Sequence, residues 1–349
     1  MCKVFPREQF MYLLRHMHLF NNLQSTGKDR FEKVRILLNI SVKFPKFVVM
    51  GATVSVDESM IPFKGKHGLL FMIKSKPHPI GFKLFTLCCP RTGYIYSWWL
   101  DNKQNPISNL GKTSGAVRVL IDQVCNNIDP IIEPRSIVGG KTVYTDNWFT
   151  SQELLESLAE VNVSLCGTIR RDRIDKNVAL LLDESEGESY VNIDSANATV
   201  LKMIASTKNG PKSIYFLTSN PYLRREHRST VNVSRRIATN NPQASNLVLV
   251  NGRATVELHK ITVSYSYNTS GSDLADMKIH QATSLIKVRK WWPAVMFFLI
   301  NAILHNSHVL YCKIKNERVN MPFKTFKKLV ATALINGQSF VKKTRKTWQ

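Results

Sequence analysis

The segment Ala52-Thr-Val-Ser-Val-Asp-Glu-Ser-Met60 alternates apolar and polar side chains until it reaches two adjacent acids. A period of two residues predicts a β-strand over 52–56 that ends at Asp57. A second short strand, predicted over 141–145, ends at Asp146. Because ligands of α/β proteins bind beyond the ends of strands, we expect the two aspartates to belong to one site.

The periodicity between these two segments and just after them predicts the rest of a domain. Three further strands (81–87, 94–99 and 163–169) and two helices (117–124 and 153–160) are predicted. Thr150 or Ser151 can cap the second helix. The resulting order, β-β-β-α-β-α-β, is that of an RNase H-like domain, so we predict a mixed α/β fold with its active site at strand ends.

The flanking regions divide the chain into five predicted parts. Helical periodicity over 7–22 and 30–44 makes residues 1–50 a helical part, and the core follows over 51–170. Residues 171–255 are less periodic and predict a small β-rich insertion with a mobile loop, including strands over 199–205 and 213–218. A polar turn over 266–271 precedes a helix that begins at Ser272, so 256–277 completes the core. Residues 278–349 form a basic helical part.

The charge of the chain is strongly positive and uneven. Lys and Arg number 48 against 25 Asp and Glu, which gives a formal net charge of +23. From Lys278 onward there are 14 Lys and Arg and one acid, Glu317, so this part carries 14 − 1 = +13. A nucleic-acid partner is the leading interpretation. A ribosomal protein, a membrane-surface protein or a merely solvated basic face would give a similar composition.

The cysteines argue against a zinc-binding protein, and the longest apolar run argues against a membrane protein. None of the six cysteines forms a Cys-x-x-Cys pair or a Cys/His cluster with zinc spacing, so no zinc is expected, and free thiols in a reducing compartment are favoured. The apolar run 292–310 is interrupted by polar residues such as Asn301 and His305. We therefore predict a buried or amphipathic helix there, and no membrane partner.

A third acidic segment, Tyr267-Asn-Thr-Ser-Gly-Ser-Asp-Leu-Ala-Asp276, places Asp273 and Asp276 one helical turn apart on the same face. Carboxylates that converge from distant segments can hold two divalent cations about 4 Å apart. In such sites one ion activates the attacking water or 3′-hydroxyl, and the other stabilises the leaving oxygen. Each acid could instead have a structural role without metal. Asp146 could cap a helix, and Asp273 could simply favour a helix N-terminus.

A set of motifs around the acids follows in a fixed order: Asp57-Glu58-Ser-Met60, Phe63-Lys-Gly-Lys66, Lys76-Pro77, Gly81-x-Lys83, Gly93-Tyr94, Asp146-Asn-Trp-Phe-Thr-Ser151, Gly167-Thr-x-Arg170, Tyr267-Asn268, Trp292-Pro293, Phe297-Phe298 and Asn306. This ordered set resembles the piggyBac transposase family from about residue 9 to Tyr311. Any single motif is a weak signal, whereas the ordered set is specific.

The resemblance implies an RNase H-like core with an insertion domain, flanked by helical segments that together form a dimerisation and DNA-binding domain. Asp57, Asp146 and Asp273 match the family's catalytic metal-binding triad, and Asp276 matches its additional acid. The implied cofactor is Mg²⁺ or Mn²⁺, two ions in all. The implied activity is cleavage of double-stranded DNA through hairpin intermediates and insertion at TTAA sites, by a homodimer in the nucleus.

Several cations are candidates for contacts with DNA phosphates. These are Lys64, Lys66, Lys287, Arg289 and Lys290. Simple solvation explains Lys64 and Lys66 equally well. Strand alternation predicts that Glu58 faces away from Asp57, in a supporting role. The run Lys342-Lys-Thr-Arg-Lys346 is a candidate nuclear localisation signal, with a solvated tail as the alternative.

The sequence departs from the family pattern at some positions. The family's Cys-rich zinc-binding tail has no counterpart, the third acidic segment is one residue shorter than usual, and Trp291 replaces the Arg that usually precedes Trp-Pro. A DNA transposase is the first hypothesis. The alternative is a domesticated or decayed transposase-derived DNA-binding protein. A basic RNA-binding protein is disfavoured because it would leave the acidic segments unexplained.

Overall fold

The computed structural model describes residues 6–127, 140–184, 187–207, 210–225, 229–236, 249–250, 253–281, 288–314 and 321–337. The strands are β1 (Thr53–Pro62), β2 (Phe71–Met72), β3 (Ile80–Cys88), β4 (Ile95–Leu100), β5 (Thr142–Thr145), β6 (Ser164–Ile169), β7 (Ser189–Ile193), β8 (Ala198–Thr207), β9 (Gly210–Thr218), β10 (Thr230–Arg236), β11 (Leu249–Val250) and β12 (Arg253–His259). The helices are α1 (Arg7–His16), α2 (Arg35–Leu38), α3 (Lys112–Asn127), α4 (Gln152–Ala159), α5 (Lys176–Asp183), α6 (Pro221–Arg225), α7 (Lys260–Asn268), α8 (Gly271–Gln281), α9 (Trp291–Ile314) and α10 (Phe323–Ile335).

One mixed sheet organises the molecule, in the order β2-β3-β1-β5-β6-β9-β8-β7, with β4 paired to β3. Strands β1, β5 and β6 run parallel, and β3 runs antiparallel to β1. The predicted order β-β-β-α-β-α-β is found over the described part of residues 53–169 with one addition, the two-residue strand β2. The strand predicted to end at Asp57 was too short, because β1 continues to Pro62 and stays paired with β3 beyond Asp57. Because β1 and β5 are parallel neighbours at the middle of the sheet, residues that follow their paired segments lie at the same edge.

Apolar side chains on the sheet and on α3 and α4 form the core. Val117, Leu120 and Ile121 of α3 are fully buried, as the helical pattern predicts. The predicted cap of α4 is Ser151, whose Oγ accepts a hydrogen bond from the backbone N–H of Leu154 at 3.1 Å. This packing fixes the position of the loop between β5 and α4, which begins at Asp146.

The helical predictions for the first 50 residues were too long. The first helix ends at His16 instead of Asn22, and residues 30–44 contain only the short α2 between 3-10 turns over 32–34 and 39–46. Pro45 lies inside the second of these turns and lacks the N–H that a longer helix would need. The polar turn expected over 266–271 is also reduced, because α7 extends to Asn268.

The region 171–255 contains the two strands expected there, as β8 and β9. Strands β7 to β9 continue the main sheet, since β9 pairs with β6, while β10, β12 and β11 form a separate three-stranded sheet. The loop expected to be mobile lies partly outside the described residues. The division of the chain into five parts stays a prediction.

The long apolar helix α9 is bound into the fold by polar side chains as well as apolar ones. Asn306 pairs with both backbone groups of Ile95 in β4, at 2.9 and 2.8 Å, and His305 Nε2 donates to the carbonyl of Gly93 at 2.9 Å. By length and mean hydropathy, α9 is the one helix among the described residues that could cross a membrane. Its buried Val295 and Leu299, together with these hydrogen bonds, identify it as a core helix of this fold.

Candidate active site

Asp57 and Asp146 lie beside each other because their strands are in register. Val56 of β1 pairs with Thr145 of β5, and each aspartate follows directly. Asp146 Oδ1 accepts hydrogen bonds from the backbone N–H groups of Trp148 at 2.9 Å and Phe149 at 3.3 Å. These bonds fix one carboxylate oxygen of Asp146 in the turn, but Asp146 is not the helix cap of the alternative hypothesis, because Ser151 caps α4.

The helix α8 carries Asp273 and Asp276 to the same edge of the sheet. Asp273 lies in the first turn, as predicted, and is exposed, whereas Asp276 is half-buried. The Asp276 carboxylate accepts a hydrogen bond from the Ser59 hydroxyl of β1, which helps to hold its pKa down against stronger opposing effects. Ser59 is two residues after Asp57 and therefore on the same face of the strand.

Glu58 also belongs to this group of acids, contrary to the simple expectation from strand alternation. Its carboxylate is close enough to that of Asp57 to raise the pKa of Asp57, and its charge also acts on Asp146 and Asp276. Glu58 Oε2 is buried and accepts no hydrogen bond. We call the five side chains Asp57, Glu58, Asp146, Asp273 and Asp276 the acidic cluster.

One lysine, Lys76, lies against the acidic cluster. Its Nζ donates a hydrogen bond to the carbonyl oxygen of Glu58 at 3.1 Å and lies 3.5 Å from Glu58 Oε1. Burial lowers the pKa of Lys76, but the charges of Asp57, Glu58, Asp273 and Asp276 outweigh it and raise that pKa above its ordinary value. The ammonium is therefore a permanent positive charge within the cluster.

Burial and mutual repulsion shift the pKa values of three acids upward. Burial, followed by the charge of Glu58, raises the pKa of Asp57 well above its ordinary value. Burial also raises the pKa of Asp146, and it raises that of Asp276 to about 7. A cation bound among these carboxylates would relieve the repulsion that raises their pKa values.

The donor chemistry of the acidic cluster fits a hard divalent cation, because carboxylate oxygens are the preferred ligands of Mg²⁺ and Mn²⁺. The buried and unpartnered Oε2 of Glu58 adds to this fit. Within the part of the chain that the structure describes, no three His, Cys, Asp or Glu side chains lie close enough to hold one ion as they stand.

Comparison with known proteins identifies the family. A family model described as Transposase IS4 matches residues 1–308. The human PiggyBac transposable element-derived protein 3 is 24% identical over 318 residues, covering 87% of this chain and 48% of that protein. The chain belongs to the piggyBac-type transposase family.

Other piggyBac relatives agree with this assignment. The human PiggyBac transposable element-derived protein 2 is 21% identical over 338 residues, covering 95% of this chain and 53% of that protein. A solved structure of a piggyBac transposase synaptic complex with hairpin DNA superimposes with a TM-score of 0.71 at 18% identity, covering 99% of this chain and 66% of that one. The predicted mixed α/β, RNase H-like fold is thus confirmed. The chain spans about half the length of these curated relatives.

A basic cavity of about 340 Å³ lies elsewhere on this piggyBac-type chain. Of the described residues, those that line it include four Lys and Arg and no acid. They are His18, Asn22, Lys33, Phe63, Lys66, Arg289, Lys290, Trp291 and Trp292. Three of the predicted DNA contacts thus lie together. Lys64 is exposed but does not line the cavity, and Lys287 lies outside the described residues.

Sequence reasoning about this transposase-family chain missed Lys76, Lys33 and the proximity of Glu58 to the other acids. Lys76 is in the loop between β2 and β3, and Lys33 is in a 3-10 turn. The roles of both lysines depend on how distant segments pack, which local periodicity does not show. The one available signal for Lys76 was its place in the Lys76-Pro77 motif between two strands.

Proposed function

We propose that this chain is the catalytic part of a piggyBac-type DNA transposase that cleaves and transfers DNA strands with divalent metal ions. The observation that carries the proposal is the convergence of the acidic cluster from β1, the β5–α4 turn and α8 at one edge of the sheet. A surface role for these acids would not require three of them to be half-buried with raised pKa values.

Asp57, Asp146, Asp273 and Asp276 would hold Mg²⁺ or Mn²⁺, two ions in all. When bound, these ions supply Lewis-acid activation of a water or 3′-hydroxyl and stabilise the departing oxygen. Asp57 lies on β1 and Asp146 in the turn after β5, whereas Asp273 is exposed on α8. Ser59 orients the Asp276 carboxylate, and Asp146 is oriented by two backbone N–H groups.

Double-stranded DNA is the proposed substrate. The net charge of +23 and the four cations of the basic cavity support contacts with phosphates through Lys33, Lys66, Arg289 and Lys290. Lys64 and Lys287 remain candidates for further contacts. Passage through a hairpin intermediate and insertion at TTAA sites are proposed from the family, one of whose members forms a synaptic complex with hairpin DNA.

A homodimer in the nucleus is the proposed state of the protein. Helix α1 has no buried residue, and Phe10, Met11, Tyr12 and Leu13 are all exposed on it. An apolar helix surface of this kind supports packing against a second copy. Light scattering coupled to size-exclusion chromatography tests the dimer. A monomeric mass at micromolar protein concentration would contradict it.

Strand transfer tests the proposed function. A duplex with a free 3′-hydroxyl end is incubated with the chain, Mn²⁺ and either of two plasmids, one with TTAA sequences and one without. We expect joined products with the first plasmid, their loss in Asp57→Ala, and normal duplex binding by that variant. DNA binding without any joining by the unsubstituted chain would favour the alternative, a transposase-derived DNA-binding protein.

A further inference from the structure

The loop between β2 and β3 holds Lys76 in a fixed place against the acidic cluster. Its backbone is closed by hydrogen bonds from Ile73 N–H to the carbonyl of Pro79 at 2.8 Å and from Lys76 N–H to the carbonyl of Ile73 at 3.2 Å. The ammonium is bound to the Glu58 carbonyl oxygen at 3.1 Å and is only 25% exposed as a side chain. The lysine is therefore directed inward, not into solvent.

A second contact fixes this loop to the helix that carries Asp273 and Asp276. The rings of His78 and His280 lie 5.6 Å apart, and His280 in turn contacts Phe298 of α9. The loop thus touches β1 through Lys76 and α8 through His78. It bridges the two elements that contribute four of the five acids.

The charges that act most strongly on Lys76 are negative. It interacts electrostatically with Asp57, Glu58, Asp273 and Asp276, and its charge also acts on Asp146. The other nearby lysine, Lys83, lies over the rings of Trp148, Phe71 and Phe85 at 4.3, 4.7 and 5.3 Å. Lys83 therefore contacts aromatic rings, although the charges of Asp101 and Glu58 also act on it, whereas Lys76 forms an ion pair with Glu58.

We propose that Lys76 is a positioning residue that serves as the resident counter-cation of the acidic cluster and opposes the binding of divalent cations there. Its single charge offsets part of the repulsion among five carboxylates when no metal is bound. The negative field of the carboxylates that holds Lys76 also attracts a divalent ion. The lysine therefore raises the concentration of divalent metal that is needed to occupy the site. The metal part of this inference rests on the proposed function, whereas the counter-cation part does not.

The chain offers a matched control in Lys74, which lies two residues away in the same loop and is exposed. Thermal unfolding in EDTA is measured for Lys76→Met, Lys74→Met and Lys76→Arg. We expect Lys76→Met to lower Tm by several degrees and Lys74→Met to leave Tm unchanged. Lys76→Arg keeps the positive charge, so we expect it to lower Tm by much less than Lys76→Met. Methionine preserves the aliphatic stem, so the loss reports the charge.

A double-mutant cycle separates charge from packing. Asp276→Asn removes one repelling charge, so we expect it to raise the Tm of Lys76→Met by more than it raises the Tm of the unsubstituted chain. Additive effects of the two substitutions would mean that Lys76 acts through packing alone, which overturns the proposal. So would a Tm for Lys76→Met equal to that of Lys74→Met.

Titration with Mn²⁺ tests whether Lys76 opposes the binding of divalent cations. We expect Mn²⁺ to raise the Tm of Lys76→Met at lower concentration than it does for the unsubstituted chain or Lys74→Met. An unchanged or higher Mn²⁺ requirement would refute the opposition between the lysine and the metal. If Mn²⁺ stabilises none of the variants, the proposed metal site fails, while the EDTA measurements still decide whether Lys76 is the counter-cation.

Discussion

The hydroxyl of Thr86 donates a hydrogen bond to the hydroxyl of Ser272 at 3.0 Å, and both residues are buried. Thr86 is the β3 residue that pairs with Asp57 across the sheet, and Ser272 directly precedes Asp273 in α8. One buried contact thus connects the strand pair at Asp57 to the helix that carries Asp273 and Asp276. The geometry of the acidic cluster depends on how closely α8 approaches the sheet.

Gly271 permits this approach. A Cβ at this position would lie 2.9 Å from the backbone oxygen of Cys89 and closer still to Ser55 Oγ. We expect Gly271→Ala to push α8 outward, lower the free energy of unfolding by about 1–3 kcal/mol and reduce strand cleavage. Denaturant unfolding and a nicking assay measure the two effects.

Gly68→Ala is the matched control for this substitution, because nothing lies within 4 Å of a Cβ at Gly68. It is expected to leave both stability and cleavage nearly unchanged. Equal effects of the two substitutions would contradict the close packing assigned to Gly271.

The sequence was sufficient to predict the sheet edge but not the complete cluster. Asp146 follows the end of β5 as predicted, whereas Asp57 lies within β1, beside Asp146 only because the pairing of β1 with β5 ends at Val56. The helical period placed Asp273 and Asp276 on one face of a helix. Lys76 and Glu58 were not predicted in their roles, because their places depend on a loop fold and on local strand geometry. The amino-terminal helices were overestimated because apolar periodicity alone does not show whether a helix finds a packing partner.

The acidic cluster is expected to make the fold less stable as pH rises, which is the reverse of the usual effect of an acid whose pKa is lowered by folding. Burial raises the pKa of Asp276 from 3.8 to about 7 in the folded chain. The folded state then binds more protons than the unfolded state between these values, so this carboxyl destabilises the fold progressively as pH rises from about 4 to about 7. Each unit of pKa difference corresponds to about 1.4 kcal/mol at most.

Asp276→Asn tests this sign in EDTA. We expect the variant to be more stable than the unsubstituted chain at pH 8, with a smaller difference at pH 5. The amide oxygen of asparagine can still accept the Ser59 hydrogen bond, so packing is preserved. A stability gain of the same size at both pH values would show that Asp276 titrates normally.

Asn306 is expected to be essential for the attachment of α9 to the sheet. Its side chain satisfies both the N–H and the carbonyl of Ile95, and the residue is buried. Asn306→Ala leaves both backbone groups unpaired and should lower the free energy of unfolding by about 1–3 kcal/mol or more. Ser307→Ala serves as the comparison, since its hydroxyl bonds only within the helix, to Ile303 at 2.9 Å. Urea unfolding that places Asn306→Ala level with Ser307→Ala would argue against this role.

The basic cavity is expected to contribute to the salt dependence of DNA binding. Each phosphate contact adds about −0.9 to the slope of log K against log salt concentration. Lys33→Ala and Arg289→Ala should each make this slope shallower by about that amount, without changing sequence preference. Lys212→Ala, an exposed residue of β9, is the control. Slopes that are unaffected by the cavity substitutions would remove the cavity from the DNA interface.

Nicking of supercoiled DNA in Mn²⁺, by the chain and by Asp146→Ala, tests the central claim most directly. The account predicts nicking by the unsubstituted chain, none by Asp146→Ala, and equal DNA affinity and comparable thermal stability of the two. Nicking that persists in Asp146→Ala, or tight DNA binding with no nicking by either protein, would contradict a metal-dependent cleavage site built on the acidic cluster.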